Sequence, residues 1–289
     1  MRIAIASCER PPVPDVDARR QIPQLAAAGH DAEPVAWTDA GARWGDYDLV
    51  WISSTWDYHE RPEEFREWLR RTQAATRLEN PAELVEWNMD KRYLRELERE
   101  GVRVVPTLWA APDAAERVAA EATGAGWERV VVKPSVDLGA ENLKVVSPDQ
   151  VERAVAAIEG TSLVQPYLRS LEREGELSLV FFAGEFAYAV HKQPAAGDFR
   201  VQEHYGARHR EVEADADAQA LAERTLASLR SMRALERDPL FARVDLVRDD
   251  GGEPCLIALE LIEPNLFLGV AGDDALAERF ASLLTAEDL

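Results

Sequence analysis

A hairpin whose two arms both carry carboxylates sets the tightest limit on what this chain can become. The first arm reads Arg243-Val-Asp245-Leu-Val247 and the second Ala258-Leu-Glu260-Leu-Ile-Glu263-Pro-Asn265, joined by Arg248-Asp-Asp-Gly-Gly-Glu-Pro254. The Gly-Gly pair is a tight-turn signal, so the arms are expected to pair as antiparallel strands. Side chains two apart on a strand share a face. On that reading Glu263 and Asn265 project together, and Asp245 faces them from the partner strand. Three hard oxygen donors so arranged suit Mg²⁺, which takes one or two carboxylates and leaves its other positions to water and substrate phosphates. Glu260 is a further carboxylate on the second arm. Far upstream, Lys91 and Lys133 supply positive charge for the phosphate side.

Composition removes several alternatives. The chain has 289 residues, 46% of them apolar and 30% charged, enough for two or three compact units with a sizeable core. Its net charge is −20 with no basic stretch. This argues against nucleic acid as a partner, because phosphate-backbone binding needs clustered Lys and Arg. An anionic membrane surface is disfavoured for the same reason. The two cysteines, Cys8 and Cys255, are far apart and form neither a CxxC nor a Cys/His pattern. The first residues turn polar too soon for a signal peptide, and no apolar run approaches a membrane span of about 20 residues. A cytoplasmic protein is expected.

The order of elements reads as three units. Strands over Arg2–Ala6, Ala32–Trp37 and Asp48–Ser53 alternate with a helix from Asp17 to Gly29 and an amphipathic helix over Pro62–Thr72, after a Pro-rich loop at Arg10–Pro14. That alternation gives an open α/β sheet over residues 1–88. A helix over Pro81–Glu100 leads into a second unit, 89–168, with strands over Arg129–Lys133, Leu143–Val146 and Ser162–Gln165 and helices over Ala114–Ala122 and Pro148–Ile158. The third unit, 169–289, holds two strands around Ala183-Gly184, a loop and short strand over Gly197–Gly206, a helix over Asp215–Leu235, the acidic hairpin and a last helix over Asp274–Leu284.

Several positions suit chemistry on a phosphorylated ligand. Lys133 ends a Val-rich strand, where a lysine reaches a cleft as a point charge for phosphate. Ser135 to Gly139-Ala140 is a small-residue loop whose backbone N–H groups can cover phosphates. Gln165-Pro166-Tyr167-Leu168 closes the second unit with backbone groups able to read a base edge and a proline to stiffen the link. Glu176 suits ribose hydroxyls or the orienting of a lysine. Lys192 and Arg200 place positive charge opposite the acidic hairpin, fit for a transferring phosphoryl group, and Arg243 sits on the hairpin itself. Trp56-Asp57-Tyr58 follows the third strand, beyond the carboxyl ends where open α/β sheets take ligands; it reads equally as a substrate loop or as an aromatic-anchored structural one. There is no GxGxxG, P-loop, HExxH or GxSxG, so neither a dinucleotide site, a Walker A site, a zincin nor an α/β-hydrolase is indicated.

Taken in order, Lys91, Lys133-Pro134, the loop to Gly139, Gln165-Pro-Tyr167, Glu176, Lys192, Arg200, Asp245 and Glu263-Pro-Asn265 resemble the ATP-grasp superfamily across nearly the whole chain. The resemblance implies an ATP-grasp fold of mixed α/β and α+β class. An N-terminal open α/β (pre-ATP-grasp) lobe would be followed by two α+β lobes that sandwich ATP. It implies ATP and Mg²⁺ (or Mn²⁺) as cofactors. Lys91, Lys133, Ser135 and Gly139 would lie on the phosphates, Gln165 to Leu168 at adenine, and Asp245, Glu260, Glu263 and Asn265 on the metal. Arg200, Lys192 and Arg243 would be catalytic, and Trp56, Asp57 and Tyr58 would meet the substrate. The implied chemistry is attack of a carboxylate on the γ-phosphate, then capture of the acyl phosphate by a nucleophile.

Within the superfamily the chain is similar to the branch of the cycloserine-biosynthesis cyclo-ligase and the ribosomal-protein S6 glutamate ligase-like enzymes. Trp56-Asp-Tyr-His59, Gly197-Asp-Phe-Arg-Val-Gln202 and Glu260-Leu-Ile-Glu-Pro264 carry that likeness; Ser53 stands where the branch often has an arginine. The expected activity is an ADP- and phosphate-forming ligase acting on a small amino-acid-like carboxylate or carbonyl, for C–N bond formation or ring closure. Two alternatives are a carboxylate-amine ligase that extends a protein or peptide, and a silent ATP-binding regulator. A small-molecule partner is expected, and the apolar helix faces suit a core or a homodimer alike.

Overall fold

The computed structural model describes residues 1–10, 14–139, 142–270, 272 and 274–286. Most of the Pro-rich loop and Ala140 of the small-residue loop lie outside them.

The first unit runs β1 (Arg2–Ser7), α1 (Val16–Ala27), β2 (Asp31–Ala36), β3 (Leu49–Ser54), α2 (Pro62–Ala75) and β4 (Arg77–Glu79). The four strands are all parallel in the order β2-β1-β3-β4. β1 and β3 are central and buried on both faces, so they read as continuous apolar runs rather than alternating ones. Asp15 caps α1 by accepting the Ala18 N–H at 2.7 Å. Pro62 opens α2, which buries Phe65, Trp68, Leu69 and Thr72 on one side. β4, only three residues long, carries no signal of its own in the sequence.

The expected helix over 81–100 is two helices, α3 (Ala82–Asn88) and α4 (Tyr93–Arg99). The break between them turns the Lys91 N–H out of the helix and onto the Ser135 carbonyl at 2.8 Å. A middle unit follows: β5 (Leu108–Ala110), α5 (Ala115–Gly124), β6 (Val130–Pro134), β7 (Lys144–Val146), α6 (Val151–Ala156) and β8 (Ser162–Pro166). Its antiparallel sheet has the order β5-β8-β6-β7 and a small-residue core that includes Val118, Val130, Val132, Val155 and Val164.

The third unit contains α7 (Arg169–Glu174), β9 (Glu176–Phe182), β10 (Glu185–Gln193), β11 (Arg208–Val212), α8 (Ala216–Met232), β12 (Phe241–Arg248), β13 (Pro254–Glu260) and α9 (Ala275–Leu284). Its antiparallel sheet has the order β11-β10-β9-β12-β13. Residues 197–206, expected to include a strand, are loop and a single 3₁₀ turn; the strand lies later, at β11. The sheet's faces divide by alternation. Leu179, Phe181, Val244 and Leu246 pack with residues of α4 and α8. Val180, Phe182 and Phe241 pack with Phe280 of α9 and with Ile3, Leu49 and Trp51 of the first unit. The first and third units thus share one core.

The hairpin forms as expected, β12 against β13, but its second arm ends at Glu260. Glu263 and Asn265 therefore do not share a strand face, and Asp245 does not oppose them: Asp245 is paired with Ala258, and Glu260 with Arg243. Glu263 is buried whereas Asn265 is exposed. Two things stop the ladder. Pro264 has no N–H to give. The Asn80 side chain occupies the strand ends, donating to the Phe241 carbonyl at 3.0 Å and the Leu261 carbonyl at 2.9 Å while accepting from the Leu240 N–H at 2.9 Å.

Candidate active site

Strand periodicity assembles the charged site. Glu176 and Ser178 stand two apart on β9; Lys192 of β10 is registered with Glu176, and Asp245 of β12 with Ser178. Along β9 this same face continues as Val180 and Phe182, which are buried under the first unit. The polar half is left for the cleft. The pairing shifts register directly after Asp245, a bulge of the kind found beside functional sites.

Within this cluster the charges are closely matched. Lys192 Nζ is in direct contact with a Glu176 oxygen and lies 3.4 Å from Asp245 Oδ1. Arg243 grips Asp245 with both arms of its guanidinium, at 2.9 Å on Oδ1 and 2.9 Å on Oδ2, and Ser178 donates to Oδ1 at 2.5 Å. Burial works against an ionised Asp245, but Arg243 and Lys192 outweigh it and hold the carboxyl below the usual range. Glu176 goes the other way: burial pushes its pKa up, against the pull of Lys192.

Facing this cluster from β6 is Lys133, whose pKa is lowered to about 8 by burial first and by the neighbouring Lys91 second; Glu176, Asp137 and Glu260 pull it back. Lys91 is held by its own ammonium, which donates to the Asp137 carbonyl at 2.5 Å. The loop that begins at Ser135 is thus tied to the α3–α4 break through both Lys91 bonds. Gly139 has φ +66°, a left-handed conformation that favours glycine.

At the junction after β8, Gln165 donates to Thr107 Oγ1 at 2.8 Å, and the Tyr167 ring lies 3.9 Å from the Arg129 guanidinium and 5.5 Å from the Phe199 ring. Pro166 ends β8, and Leu168 packs against Val105 and Val247. Arg200 is not brought to the lysines by any described contact. Its guanidinium pairs with Asp198, two residues before it, at 2.7 Å and lies 3.6 Å from the Tyr205 ring. In the substrate loop, Asp57 accepts from Trp37 Nε1 at 2.7 Å and from Arg61 at 2.6 Å, while Tyr58 is buried with its ring stacked on Phe65. Trp56 is left half-buried.

The remaining acids test whether the site suits a divalent cation. Among the described residues no three His, Cys, Asp or Glu side chains are gathered as a ready metal cluster. Asp245 is already engaged by Arg243, Lys192 and Ser178. Glu263 is different: it is 8% exposed, and its Oε2 is buried with no hydrogen-bond partner. Burial raises its pKa well above the usual range, and Glu260, Asp15 and Asp57 add to the effect. The Glu260 side chain makes no hydrogen bond or ion pair with any described residue, though its charge acts on Arg243, Lys133 and Tyr93. An orphaned carboxylate oxygen beside a second unpaired carboxylate fits a hard divalent cation.

Some neighbours of the site escaped sequence reasoning. Asp17 is the clearest. Its carboxylate, buried in α1, accepts the backbone N–H groups of Leu266 at 2.5 Å, Phe267 at 3.1 Å and Leu268 at 2.8 Å, and so holds the turn after Asn265. Phe267, at φ +55°, sits 5.1 Å from His209 and 5.8 Å from Arg243. Ser178 had a usable signal, its spacing of two from Glu176. Asp17 had none, being some 250 positions from its partners.

A sheet-bounded cleft with lysines on one wall and paired carboxylates on the other defines an ATP-grasp ligase, and comparison with known proteins agrees. The family model for the D-cycloserine synthetase DcsG N-terminal domain matches residues 3–80. The cycloserine biosynthesis protein DcsG of Streptomyces lavendulae is 33% identical over 275 residues, covering 89% of this chain and 88% of that protein. A crystal structure of D-cycloserine synthetase DcsG superposes with a TM-score of 0.89 at 30% identity, covering 98% of each chain. More distant folds include a RimK-domain ATP-grasp protein from Sphaerobacter thermophilus, with a TM-score of 0.68 at 20% identity over 99% of this chain and 100% of that one. A D-alanine–D-alanine ligase from Bacillus anthracis complexed with ATP gives 0.67 at 15% identity over 98% and 96%. The chain belongs to the DcsG family of ATP-grasp ligases. It is an enzyme, and no helix among the described residues is long and apolar enough to cross a membrane.

Proposed function

We propose that this protein uses Mg·ATP to phosphorylate a small amino-acid-derived carboxylate or carbonyl and then closes a C–N or N–O-containing ring, as the name of its relative DcsG suggests, releasing ADP and phosphate. One observation carries the reading. Among the described residues the side chains of Lys133, Glu260 and Glu263 make no hydrogen bond or ion pair, and Glu263 Oε2 is buried without a partner, while Lys91, Lys192, Arg243 and Asp245 around them are engaged. Those are the positions where a triphosphate and its cation find groups to bind.

In this reading Lys91 and Lys133 hold the α- and β-phosphates, with the Ser135–Gly139 backbone alongside. Gln165 to Leu168 frame the base. Glu260 and Glu263 would hold Mg²⁺, with Asn265 near them and Asp245 available once Arg243 turns to phosphate. Held there, Mg²⁺ would supply Lewis-acid neutralisation of charge developing on the phosphates. Lys192 and Arg243 supply the positive charge for the transferring phosphoryl group, and Glu176 keeps Lys192 aimed. Arg200 joins them only if its loop releases Asp198. Positioning and fixed charge carry the rate, as in other phosphoryl transfers. Trp56 and the ends of β1 and β3 face a small-molecule substrate, in a cytoplasmic setting that suits two buried free thiols.

The test is ADP release with Mg·ATP against a panel of amino acids and their ureido- or hydroxylamine-bearing analogues, singly and in pairs. Release with one compound alone, accompanied by its cyclised product, is the expected result. Release only with pairs makes this a two-substrate ligase, and release only with a peptide acceptor overturns the small-molecule reading.

A further inference from the structure

The free edge of β13 is not free. Three side chains from residues 80–93 run along it and take up its backbone groups in succession. The Tyr93 hydroxyl accepts the Leu259 N–H at 3.0 Å; the Asn88 amide donates to the Leu259 carbonyl at 2.8 Å and accepts the Leu261 N–H at 2.9 Å; Asn80 donates to the Leu261 carbonyl at 2.9 Å. The residue between these anchored neighbours is Glu260. All three side chains are nearly or fully buried. The hydroxyl of Tyr93 is close enough to Glu260 for that carboxylate to add to the rise in its pKa, after burial.

We propose that Asn88 and Tyr93 are positioning residues for Glu260, fixing the backbone on both sides of it so that its carboxylate is held toward Lys133 and the cation. The inference rests on the reading of Glu260 as a cation ligand. Three arguments support it. An edge strand left open frays and leaves its side chains poorly placed. A bidentate amide that reads both the carbonyl of residue 259 and the N–H of residue 261 admits only one backbone conformation at residue 260. The same short segment also carries Lys91, whose N–H and ammonium are bonded to the Ser135 and Asp137 carbonyls. One rigid piece therefore sets the distance between a phosphate-side lysine and a cation-side carboxylate. Partners that orient a metal ligand typically affect metal affinity by about 10- to 100-fold.

The experiment is a calorimetric titration with ADP at a series of Mg²⁺ concentrations, with a thermal melt of every variant. Wild type, Glu260→Gln, Asn88→Ala, Tyr93→Phe, the double variant Asn88→Ala/Glu260→Gln and the core control Leu229→Ala are compared. Asn88→Ala and Tyr93→Phe are expected to raise the Mg²⁺ concentration for half-maximal tightening of ADP by about 10-fold or more. Leu229→Ala should lower Tm with no such shift, and Asn88→Ala should add nothing once Glu260 is Gln, since coupled sites are non-additive. If Asn88→Ala does not fold, Tyr93→Phe, which removes one oxygen, decides. A shift in Glu260→Gln with none in Asn88→Ala or Tyr93→Phe overturns the positioning role and leaves Glu260 as a ligand. No shift in Glu260→Gln overturns the ligand reading, and the inference with it.

Discussion

Gly175 is the single position where a methyl group most directly tests the Lys192–Glu176 pair. It ends α7 with φ +73° and ψ −160°, a region open essentially to glycine alone. A Cβ built there would stand 2.4 Å from the Lys192 carbonyl oxygen and 3.2 Å from its carbon, both backbone atoms that cannot swing aside. Gly175→Ala therefore carries a conformational cost of about 1–3 kcal/mol. Displacing packed backbone adds about 1–3 kcal/mol more. At roughly 2 °C per kcal/mol for a chain this long, Tm should fall by about 4–12 °C. The strain falls on the register that pairs Lys192 with Glu176, so residual ADP release should drop further than the loss of folded protein explains. The control is Gly197→Ala: φ is +80°, but nothing lies within 4 Å of the added Cβ. That variant meets only the left-handed penalty, about 1–2 kcal/mol. Differential scanning fluorimetry and a coupled ADP assay read both variants. A Gly175→Ala protein that melts with Gly197→Ala and turns over normally would refute the close approach and the argument built on it.

Three other outcomes are expected. Lys133, with its pKa lowered to about 8 by burial and by Lys91, is less protonated in the folded than in the unfolded chain between about pH 8 and 10.5. Its contribution to stability therefore rises with pH across that window. Nucleotide phosphate needs the charged form, so ADP affinity should weaken by up to about tenfold per pH unit above 8, and calorimetry in buffers of different ionisation enthalpy should detect uptake of about one proton; binding that is flat to pH 9.5 would contradict this. Lys192→Met strands Glu176 as a buried carboxylate near Asp245, which keeps Arg243 and Ser178, a loss of about 3–5 kcal/mol, and adding Glu176→Gln should restore part of the lost Tm in a thermal melt. Asp57→Asn weakens the acceptor for Trp37 and Arg61; it should raise substrate KM several-fold in the ADP assay while ATP KM stays within about twofold, and a change confined to ATP KM would remove the 56–58 loop from the substrate side.

The parts legible in the sequence are those decided by local pattern. Apolar runs marked β1 and β3 as strands of an open α/β sheet, and the Gly-Gly turn marked the acidic hairpin. The strand-end lysine at 133 was visible because β-branched residues precede it and a proline follows. Misplaced features depend on distant partners. Glu263 and Asn265 look like alternate strand residues until Asn80, about 180 positions earlier, closes the strand ends. The helix over 81–100 looks continuous because nothing in its own sequence states that Lys91 will bond to Ser135. Arg200 reads as a free cation for phosphate, while in the structure a local partner, Asp198, holds its guanidinium. Asp17 reads as an ordinary first-turn acid of a helix, although it gathers three backbone N–H groups from the other end of the chain.

On the proposed function, the distribution of charge among the described residues gives this region a reason to bind a metal–nucleotide complex. Burying an ion costs several kcal/mol unless a partner compensates, and most of the site obeys: Lys192 has Glu176 and Asp245, Arg243 has Asp245, Lys91 has a carbonyl. Among the described residues the side chains of Lys133, Glu260 and Glu263 make no hydrogen bond or ion pair: burial first and Lys91 second lower the Lys133 pKa, and burial first and Glu260 second raise that of Glu263. An anion entering beside Lys133 and a divalent cation entering beside the two glutamates relieve both at once, and each makes the other's binding more favourable. That coupling would need the carboxylates and the lysines held at a set separation, which is the role we propose for Asn88, Lys91 and Tyr93 at the α3–α4 break. On the proposed function, a nucleotide carrying its own cation would supply both charges in one molecule, so the metal–nucleotide complex should bind more tightly than either component alone.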